Sequence, residues 1–223
     1  MKRQRQHATG PGVINLPAPS ARRSRSVLAA LRERRTTRAI SDRPLSLGIL
    51  SDLLWAACGC NRRRGPFGLP GRTAASASNS QEVDVYVAQA KGTYRYDPLR
   101  HRLVPVIAAD LRAFAISRGQ SPLGARAPLR LIYVADIDRQ EHSQGFDEPG
   151  LHDPEIQRAY YFVDTGLIAG NVYLFSAATG LAAWFHNCDR DALATKLGLG
   201  PTQRVLFAQT VGYPVRRTRA GRR

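Results

Sequence analysis

One long helical pattern in the second half of the chain constrains the fold more than any other feature. It begins at residues 153–155 (Asp-Pro-Glu), which supply a capping side chain, a first-turn proline and an acid suited to the helix dipole. Apolar residues then recur at helical spacing as far as Gly180, so we expect a long, largely buried helix. Gly166 and Gly170 lie four residues apart on it and permit close approach of another backbone, either at a subunit contact or in tight core packing.

The remaining patterns alternate between helices and strands. Helices are predicted from Ser24 or Ser26 to about residues 34–37, from residues 44–46 to Gly59, over 108–117 and over 189–198. Strands are predicted over 83–87, 129–135, 181–185 and 205–211, with a hairpin over 92–106, a loop over 61–73 and a lid loop over 137–151. This order predicts an α+β domain with a mixed, mainly antiparallel sheet flanked by helices. The domain spans 24–217, between a flexible basic arm (1–23) and a basic tail (218–223).

The positive charge of the chain is concentrated at its two ends. The formal net charge is +16, of which residues 1–40 contribute +9 and residues 216–223 contribute +5, leaving +2 for the middle. Such ends suit binding to nucleic acid or to an anionic membrane surface, or they form solvated tails. We favour solvated tails for most of this charge. Five arginines are exceptions to this interpretation, because each adjoins a predicted helix or strand region. They are Arg34, Arg35, Arg38, Arg216 and Arg217.

The cysteines and histidines predict no metal site. One residue separates Cys58 from Cys60, too few for the usual CxxC redox or zinc spacing, and the histidines are scattered. The few cysteines suit a reducing cytoplasm. There is no run of 18 apolar residues and no apolar core of a secretion signal near the N-terminus. We therefore expect a cytoplasmic protein that does not insert into membranes.

Two short segments carry the chemistry that most suggests a ligand. Residues 34–38 (RRTTR) combine guanidinium and hydroxyl groups, which are good phosphate ligands, although such clusters more often lie on solvated surfaces. Residues 76–81 (SASNSQ) offer hydroxyl and amide groups that could pair with the edge of a flavin pyrimidine, or that simply form a turn before a strand. A ligand with a phosphate, a polyol chain and a hydrogen-bonding ring, such as flavin mononucleotide (FMN), could use both segments.

The order of these segments resembles the nitroreductase family of FMN-dependent oxidoreductases, and most closely its SagB/ThcOx-type dehydrogenase branch. The resemblance covers roughly residues 24–217. The matching stretches, in chain order, are residues 34–38, residues 53–59 (LLWAACG), Asn61-Arg62, residues 76–81 before 83–87, residues 94–98 (YRYDP) with His101 and Leu103, Asp164-Thr165-Gly166 with Asn171, Gly180-Leu181, and Val211-Gly212-Tyr213-Pro214.

The resemblance implies a nitroreductase-like fold, an intertwined homodimer, and two FMN sites at the dimer interface, each built from both subunits. It assigns Arg34, Arg35, Thr36 and Arg38 to the flavin phosphate and ring edge. It assigns Ser76, Ala77 and Ser78 to the stretch that reaches the flavin of the partner subunit, with Asn79 and Gln81 shaping that stretch. It places His186 and Asn187 near flavin N5, and Arg216 or Arg217 at the phosphate.

The chain departs from the family pattern at several of these positions. Ala75 stands where proline is usual, and Val83 replaces an aromatic residue of many nitroreductases, which favours the dehydrogenase branch. His186-Asn187 replaces a frequent Glu-Gly pair, whose backbone N–H approaches flavin N5. His186 is therefore a candidate for a proton donor near the flavin, and the alternative is a packed or solvated histidine.

The leading functional hypothesis is an FMN-dependent oxidoreductase with a ping-pong mechanism. It would move hydride or electrons between NAD(P)H, or an organic substrate, and a nitroaromatic, a quinone or oxygen. In the SagB/ThcOx-like alternative the enzyme oxidises an azoline-type heterocycle. An alternative from another class is a basic nucleic-acid-binding protein, but no zinc set, RNP-like motif or clear recognition helix supports it. A flavin-binding protein without turnover is a further possibility.

Overall fold

The computed structural model describes residues 11–20, 25–120, 127–146 and 152–215. The α-helices of these ranges are α1 (Val27–Glu33), α2 (Leu47–Cys58), α3 (Ile137–Glu141), α4 (Pro154–Thr179) and α5 (Arg190–Leu197). The strands are β1 (Ile14–Asn15), β2 (Cys60–Arg62), β3 (Gly71–Arg72), β4 (Val83–Gln89), β5 (Gly92–Asp97), β6 (Arg102–Ile107), β7 (Leu129–Asp136), β8 (Ala182–His186) and β9 (Gln203–Gly212).

Seven of these strands form one sheet in the order β1-β6-β5-β4-β7-β9-β8, and every neighbouring pair is antiparallel. A parallel bridge between Thr36 and Ala183 extends the edge beside β8. Helices α2 and α4 pack over one face around Leu53, Leu131 and Val172, while α5 covers part of the other face near Ile132. The predicted α+β class with a mixed, mainly antiparallel sheet is therefore confirmed.

Local capping sets most of the helix ends, as the sequence predicts. Ser46 and Asp153 accept hydrogen bonds from backbone N–H groups in the first turns of α2 and α4, and Asp189 does the same for α5. Gly180 follows α4 in the left-handed conformation, which an L side chain rarely adopts. Because these signals lie within a few residues of each end, they can be identified without knowing the rest of the fold.

Helix α4 is buried on one side only, so the prediction of a largely buried helix is half right. Val163 is 59% exposed and Leu167 is 44% exposed, although both are apolar. A Cβ atom added at Gly166 or Gly170 would meet no atom within 4 Å. The two glycines therefore do not serve tight packing in this chain's core. With their neighbours they form an open apolar surface, the α4 stripe, made of Ala159, Val163, Gly166, Leu167, Gly170 and Leu174.

The predicted helix over 108–117 is wrong. The carboxylate of Asp110 accepts hydrogen bonds from the backbone N–H and the guanidinium of Arg112, which gives this segment a local alternative to helical bonding. The N–H of Ser117 then donates to the carbonyl of Asn187. Residues 108–117 instead form turns that pack Leu111 and Ala115 against the sheet.

Residues 11–20, which we expected in a flexible arm, lie packed along the sheet. Strand β1 pairs with β6, and Leu16 is buried. The hydroxyl of Ser51 donates to the carbonyl of Pro17, and the N–H of Ser20 donates to Asp52. This part of the arm therefore contacts the sheet and α2 in the structure, and residues 1–10 and 21–24 lie outside the described ranges.

Two predicted loops contain short regular elements. The loop over 61–73 holds most of the hairpin of β2 and β3, and the proposed lid over 137–151 begins with α3. Residues 147–151 of that lid lie outside the described ranges. Within the described part of the chain, no helix combines the length and apolar character needed to cross a membrane.

Candidate functional site

The segment 34–38 leaves α1 and runs along the edge of the main sheet. The backbone N–H of Thr37 donates to the carbonyl of Ala183 at 3.0 Å, so the segment is fixed beside β8. Arg34, Arg35 and Arg38 are all exposed on this edge. A short extended segment at a sheet edge thus presents three guanidinium groups to one region of the surface.

The hydroxyl of Tyr173 joins this segment to the helix layer. It accepts a hydrogen bond from the N–H of Phe185 at 2.8 Å and lies 3.1 Å from the Thr36 hydroxyl. The guanidinium of Arg34 lies over the Tyr173 ring at 5.5 Å. Helix α4, strand β8 and the segment 34–38 therefore meet at one phenol group.

Removing that hydroxyl should loosen this junction. We expect Tyr173→Phe to lower the free energy of unfolding by about 1 kcal/mol, because the Phe185 N–H loses its acceptor. Urea unfolding checks this value, with Tyr213→Phe as the matched control. The Tyr213 hydroxyl makes no hydrogen bond to any described residue, so the control should unfold like the wild type. Equal midpoints of urea unfolding for the two variants would contradict the stabilising role of the Tyr173 hydroxyl.

The three cations have no acidic partner among the described residues. Glu33, the nearest acid in sequence, is instead paired with Arg25 at 2.7 Å. The Arg38 guanidinium lies over the Trp184 ring at 5.4 Å, a contact that leaves its charge uncompensated. Clustered guanidinium groups without counter-charges suit an anionic ligand, and phosphate in particular, because they combine charge with directed donors.

A cavity of about 420 Å³ opens beside these cations. Its lining includes Arg35 and Thr37 from the edge segment, Tyr173, and also Glu33, whose carboxylate is paired with Arg25. The other side is formed by residues 180–183 and by Pro214 and Val215. The volume lies within the range of small-molecule sites, and Arg35 is the member of the cation cluster that lines it.

Residues 76–81 form a tight turn that the chain holds from several sides. The hydroxyl of Ser78 donates to the Gly145 carbonyl at 2.7 Å, and the Asn79 amide donates to the Pro66 carbonyl at 3.1 Å. The Gln81 amide donates to the Pro70 carbonyl at 2.6 Å. The amide N–H groups of Asn79 and Gln81 thus bond to the chain itself, an arrangement that shapes the turn.

The structure does not bring the turn and the edge segment together within one chain. The turn meets α4 at Asp164, where the backbone N–H of Ala77 donates to the carboxyl at 2.9 Å, whereas the edge segment meets α4 at Tyr173. Nine residues of helix separate these contacts, a distance of about 14 Å along the axis. A single ligand touching both segments in one chain would have to span that distance.

His186 lies on β8 but is buried, with 5% of its surface exposed. Its Nε2 lies 2.7 Å from the Thr210 hydroxyl and its Nδ1 lies 2.9 Å from the Asn187 carbonyl. Burial lowers the pKa of His186 to about 4. The ring is therefore neutral near pH 7 and both nitrogens are engaged, an arrangement typical of a packed histidine.

Of the remaining predicted site residues, Asn187 lies within the described ranges and Arg216 and Arg217 do not. Asn187 directs its carbonyl to His186 and Ser117, and its side-chain oxygen accepts from Arg190 at 3.1 Å. Arg216 and Arg217 lie outside the described residues, directly after Val215 in the sequence. Val215 itself lines the cavity beside the cations.

Reasoning from sequence missed four side chains that organise this region: Tyr173, Trp184, Glu82 and Asp164. Tyr173 and Trp184 sit within apolar patterns, so nothing in the sequence distinguishes them from core residues. Asp164 did carry a signal, because a carboxylate within a long apolar helix rarely becomes buried without a partner. Its relation to Glu82 depends on the tertiary fold.

The comparisons with known proteins agree with this architecture. The model of the nitroreductase family matches residues 31–213. A candidate nitroreductase from Methanocaldococcus jannaschii is 29% identical over 176 residues, which cover 74% of this chain and 82% of that protein. A candidate nitroreductase from Ralstonia eutropha JMP134, solved by crystallography, has a TM-score of 0.78 and 34% identity and covers 94% of this chain and 93% of its own.

A more distant structure shares the fold alone. The Escherichia coli microcin synthetase McbBCD complex, solved with truncated pro-MccB17 bound, gives a TM-score of 0.67 at 19% identity over 96% of this chain and 79% of the matched chain. Members of the matched family typically use a flavin. The cations of the segment 34–38, which have no acidic partner among the described residues, fit the phosphate of such a cofactor. With the family model matching most of its length, the chain belongs to the nitroreductase family and is an oxidoreductase.

Proposed function

We propose that this chain is an FMN-dependent oxidoreductase with its flavin phosphate at the edge segment 34–38. The observation that carries the proposal is the set of three arginines on this segment, which have no acidic partner among the described residues and of which Arg35 lines the cavity. Bound FMN would supply hydride and electron transfer between NAD(P)H, or an organic substrate, and an acceptor such as a nitroaromatic, a quinone or oxygen. Family membership favours this enzyme over the nucleic-acid-binding alternative.

The chain's own residues would bind and orient the flavin. Arg34, Arg35 and Thr36 would hold the phosphate, and Arg38 would favour negative charge at the edge of the ring. Arg216 or Arg217 would approach the same phosphate from the C-terminal end. The neutral, fully engaged ring of His186 suits a packing role beside the flavin site better than proton donation.

We further propose that two copies of the chain form a homodimer through the α4 stripe. The stripe is apolar, exposed from Ala159 to Leu167 and half-buried at Gly170 and Leu174, and it is open at both glycines, so another backbone can approach it closely. In a dimer, residues 76–78 of one subunit would reach the flavin held by residues 34–38 of the other. This arrangement would account for the separation of about 14 Å between the two segments within one chain.

Nicotinamide-dependent reduction tests the proposed direction of electron flow. We expect NADH or NADPH, added without oxygen, to bleach the flavin bands of the purified protein. Initial rates at several concentrations of both substrates should then give the parallel double-reciprocal lines of a ping-pong mechanism. Intersecting lines would overturn that mechanism, because they require both substrates to be bound together.

A substrate-oxidising dehydrogenase of the SagB/ThcOx type is the second candidate. Val83, in place of an aromatic residue, favours it, and the McbBCD complex with its bound pro-MccB17 shares the fold. In this case the chain would oxidise an azoline-type heterocycle, with oxygen as the final acceptor. Flavin bands that bleach with a peptide azoline but not with NADH or NADPH would favour this candidate over the first.

A further inference from the structure

Two acidic side chains lie buried together beneath the turn formed by residues 76–81. Glu82 has no exposed surface and Asp164 is 4% exposed. The Ser80 hydroxyl donates to Glu82 Oε2 at 2.6 Å, and the Ala77 N–H donates to Asp164 Oδ2 at 2.9 Å. Each carboxyl group therefore holds one end of the same turn.

The hydrogen bonding of this pair is incomplete unless one carboxyl group carries a proton. Glu82 Oε1 is buried and has no hydrogen-bond partner among the described residues. A hydrogen bond between two carboxyl groups requires one proton, and Glu82 Oε1 is the oxygen left without a partner for it. Burial, and then the charge of Glu82 and the hydrogen bond with it, raise the pKa of Asp164 to about 7.

No ion pair joins either carboxyl group to an arginine among the described residues. Arg72 and Cys58 line the same small cavity of about 10 Å³ as the two carboxyl groups. The Cys58 thiol is neutral there, because burial raises its pKa to about 11. The nearby Arg139 is directed to Asp84, Asp136 and the Gln81 carbonyl.

The backbone of the turn is strained, so it depends on contacts with the surrounding structure. Ser78, Asn79 and Gln81 have φ angles of 50°, 52° and 53°, in the left-handed region that non-glycine residues rarely adopt. Backbone in this region persists where the surrounding structure fixes it, and it clusters at functional sites. Gly145 adds to the crowding, since a Cβ atom there would lie 2.5 Å from Phe67 and 2.9 Å from Ser78.

We propose that Asp164 and Glu82 are positioning residues that share one proton, and that this proton fixes the 76–81 turn in its strained conformation. Loss of the proton leaves two buried carboxylates that repel each other. Because one holds Ala77 and the other holds Ser80, their separation loosens the turn. The role of the turn at the flavin rests on the proposed function, whereas the shared proton does not.

Amide hydrogen exchange of the full-length protein tests this proposal. The intrinsic rate of amide exchange rises with pH, so each measured rate is divided by it. The corrected exchange rate of the peptide covering residues 76–82 should rise at least fivefold in the wild type between pH 6 and pH 8.5. Asp164→Asn keeps an acceptor for the Ala77 N–H and adds a donor toward Glu82, so its corrected exchange should not change with pH. Asp153→Asn, which alters the exposed cap of the same helix, should behave like the wild type.

The free energy of unfolding gives a second readout of the same proton. Between about pH 4 and pH 7 the native state holds a proton that the unfolded chain has lost, so stability should fall as pH rises through this window. Asp164→Asn should remove that fall. If Asp164→Asn does not fold, Glu82→Gln serves instead. Asp164 then stays buried but no longer faces the charge of Glu82, so the fall should be smaller than in the wild type, and an undiminished fall would overturn the shared proton.

The outcomes separate this proposal from the proposed function. Corrected exchange in the wild type that does not change with pH, or that changes equally in Asp164→Asn, overturns the shared proton. In a protein that binds FMN, that result leaves the proposed function intact. A pH-dependent wild-type profile with a flat Asp164→Asn profile supports the shared proton even if the protein fails to bind FMN.

Discussion

Replacing Arg34 and Arg38 together with alanine is expected to weaken FMN binding by about 100-fold or more. A hydrogen bond to a charged group contributes about 1.5–3 kcal/mol, and about 1.4 kcal/mol corresponds to a factor of ten in affinity. Both side chains are exposed and unpaired with acids in the described structure, so their removal should leave the fold intact. Quenching of FMN fluorescence on titration with protein measures the effect.

Arg32→Ala is the matched control for this double variant. Arg32 is exposed on the last turn of α1, outside the segment 34–38, and its loss also removes a positive charge close to the site. We expect its FMN affinity to stay within about threefold of the wild type, since an exposed charge outside the segment makes no hydrogen bond to the phosphate in this account. Wild-type affinity in the double variant would contradict the placement of the phosphate.

Replacing Leu167 with glutamate is expected to convert a dimer into monomers. Leu167 lies at the centre of the α4 stripe and is 44% exposed in the single chain, so the charge is tolerated in a monomer. In a dimer built on this stripe the carboxylate would be buried without a partner, a cost of several kcal/mol. Sedimentation velocity should show a dissociation constant raised at least 100-fold, and FMN affinity should fall with it.

Arg158→Glu is the control that distinguishes an effect of the stripe from an effect of charge elsewhere on the same helix. Arg158 is exposed on α4 but lies about 140° around the helix axis from Val163. Its charge reversal is larger than the change at Leu167, yet we expect it to leave the dimer intact. A wild type that sediments as a monomer at every concentration tested would contradict the proposed two-subunit site.

Much of the fold could be predicted because its signals are local. Ser46, Asp153 and Asp189 each cap a helix through their own first turn, and the alternation along β4 and the apolar run of β7 predict two neighbouring strands of the sheet. The segment over 108–117 could not be predicted in this way. There a polar side chain, Asp110, competes with helical bonding, and a partner distant in sequence, Asn187, completes the turn.

The candidate site could be predicted only in part, because it depends on contacts between distant elements. The cations of 34–38 were identifiable from composition, but the Tyr173 hydroxyl that joins this segment to α4 and β8 was not. Periodicity in α4 indicated apolar residues on several sides, yet it could not show that Val163 and Leu167 face outward. The pairing of Asp164 with Glu82 likewise arises only when α4 packs under the turn.

The visible absorbance spectrum of the purified protein, before and after incubation with FMN and removal of the excess, tests the central claim most directly. We expect flavin bands to be present at the start or to remain after the excess is removed, at one FMN per chain. The same treatment of the Arg34→Ala, Arg38→Ala variant should leave much less flavin bound. A wild-type protein that stays colourless after incubation with FMN would contradict the account.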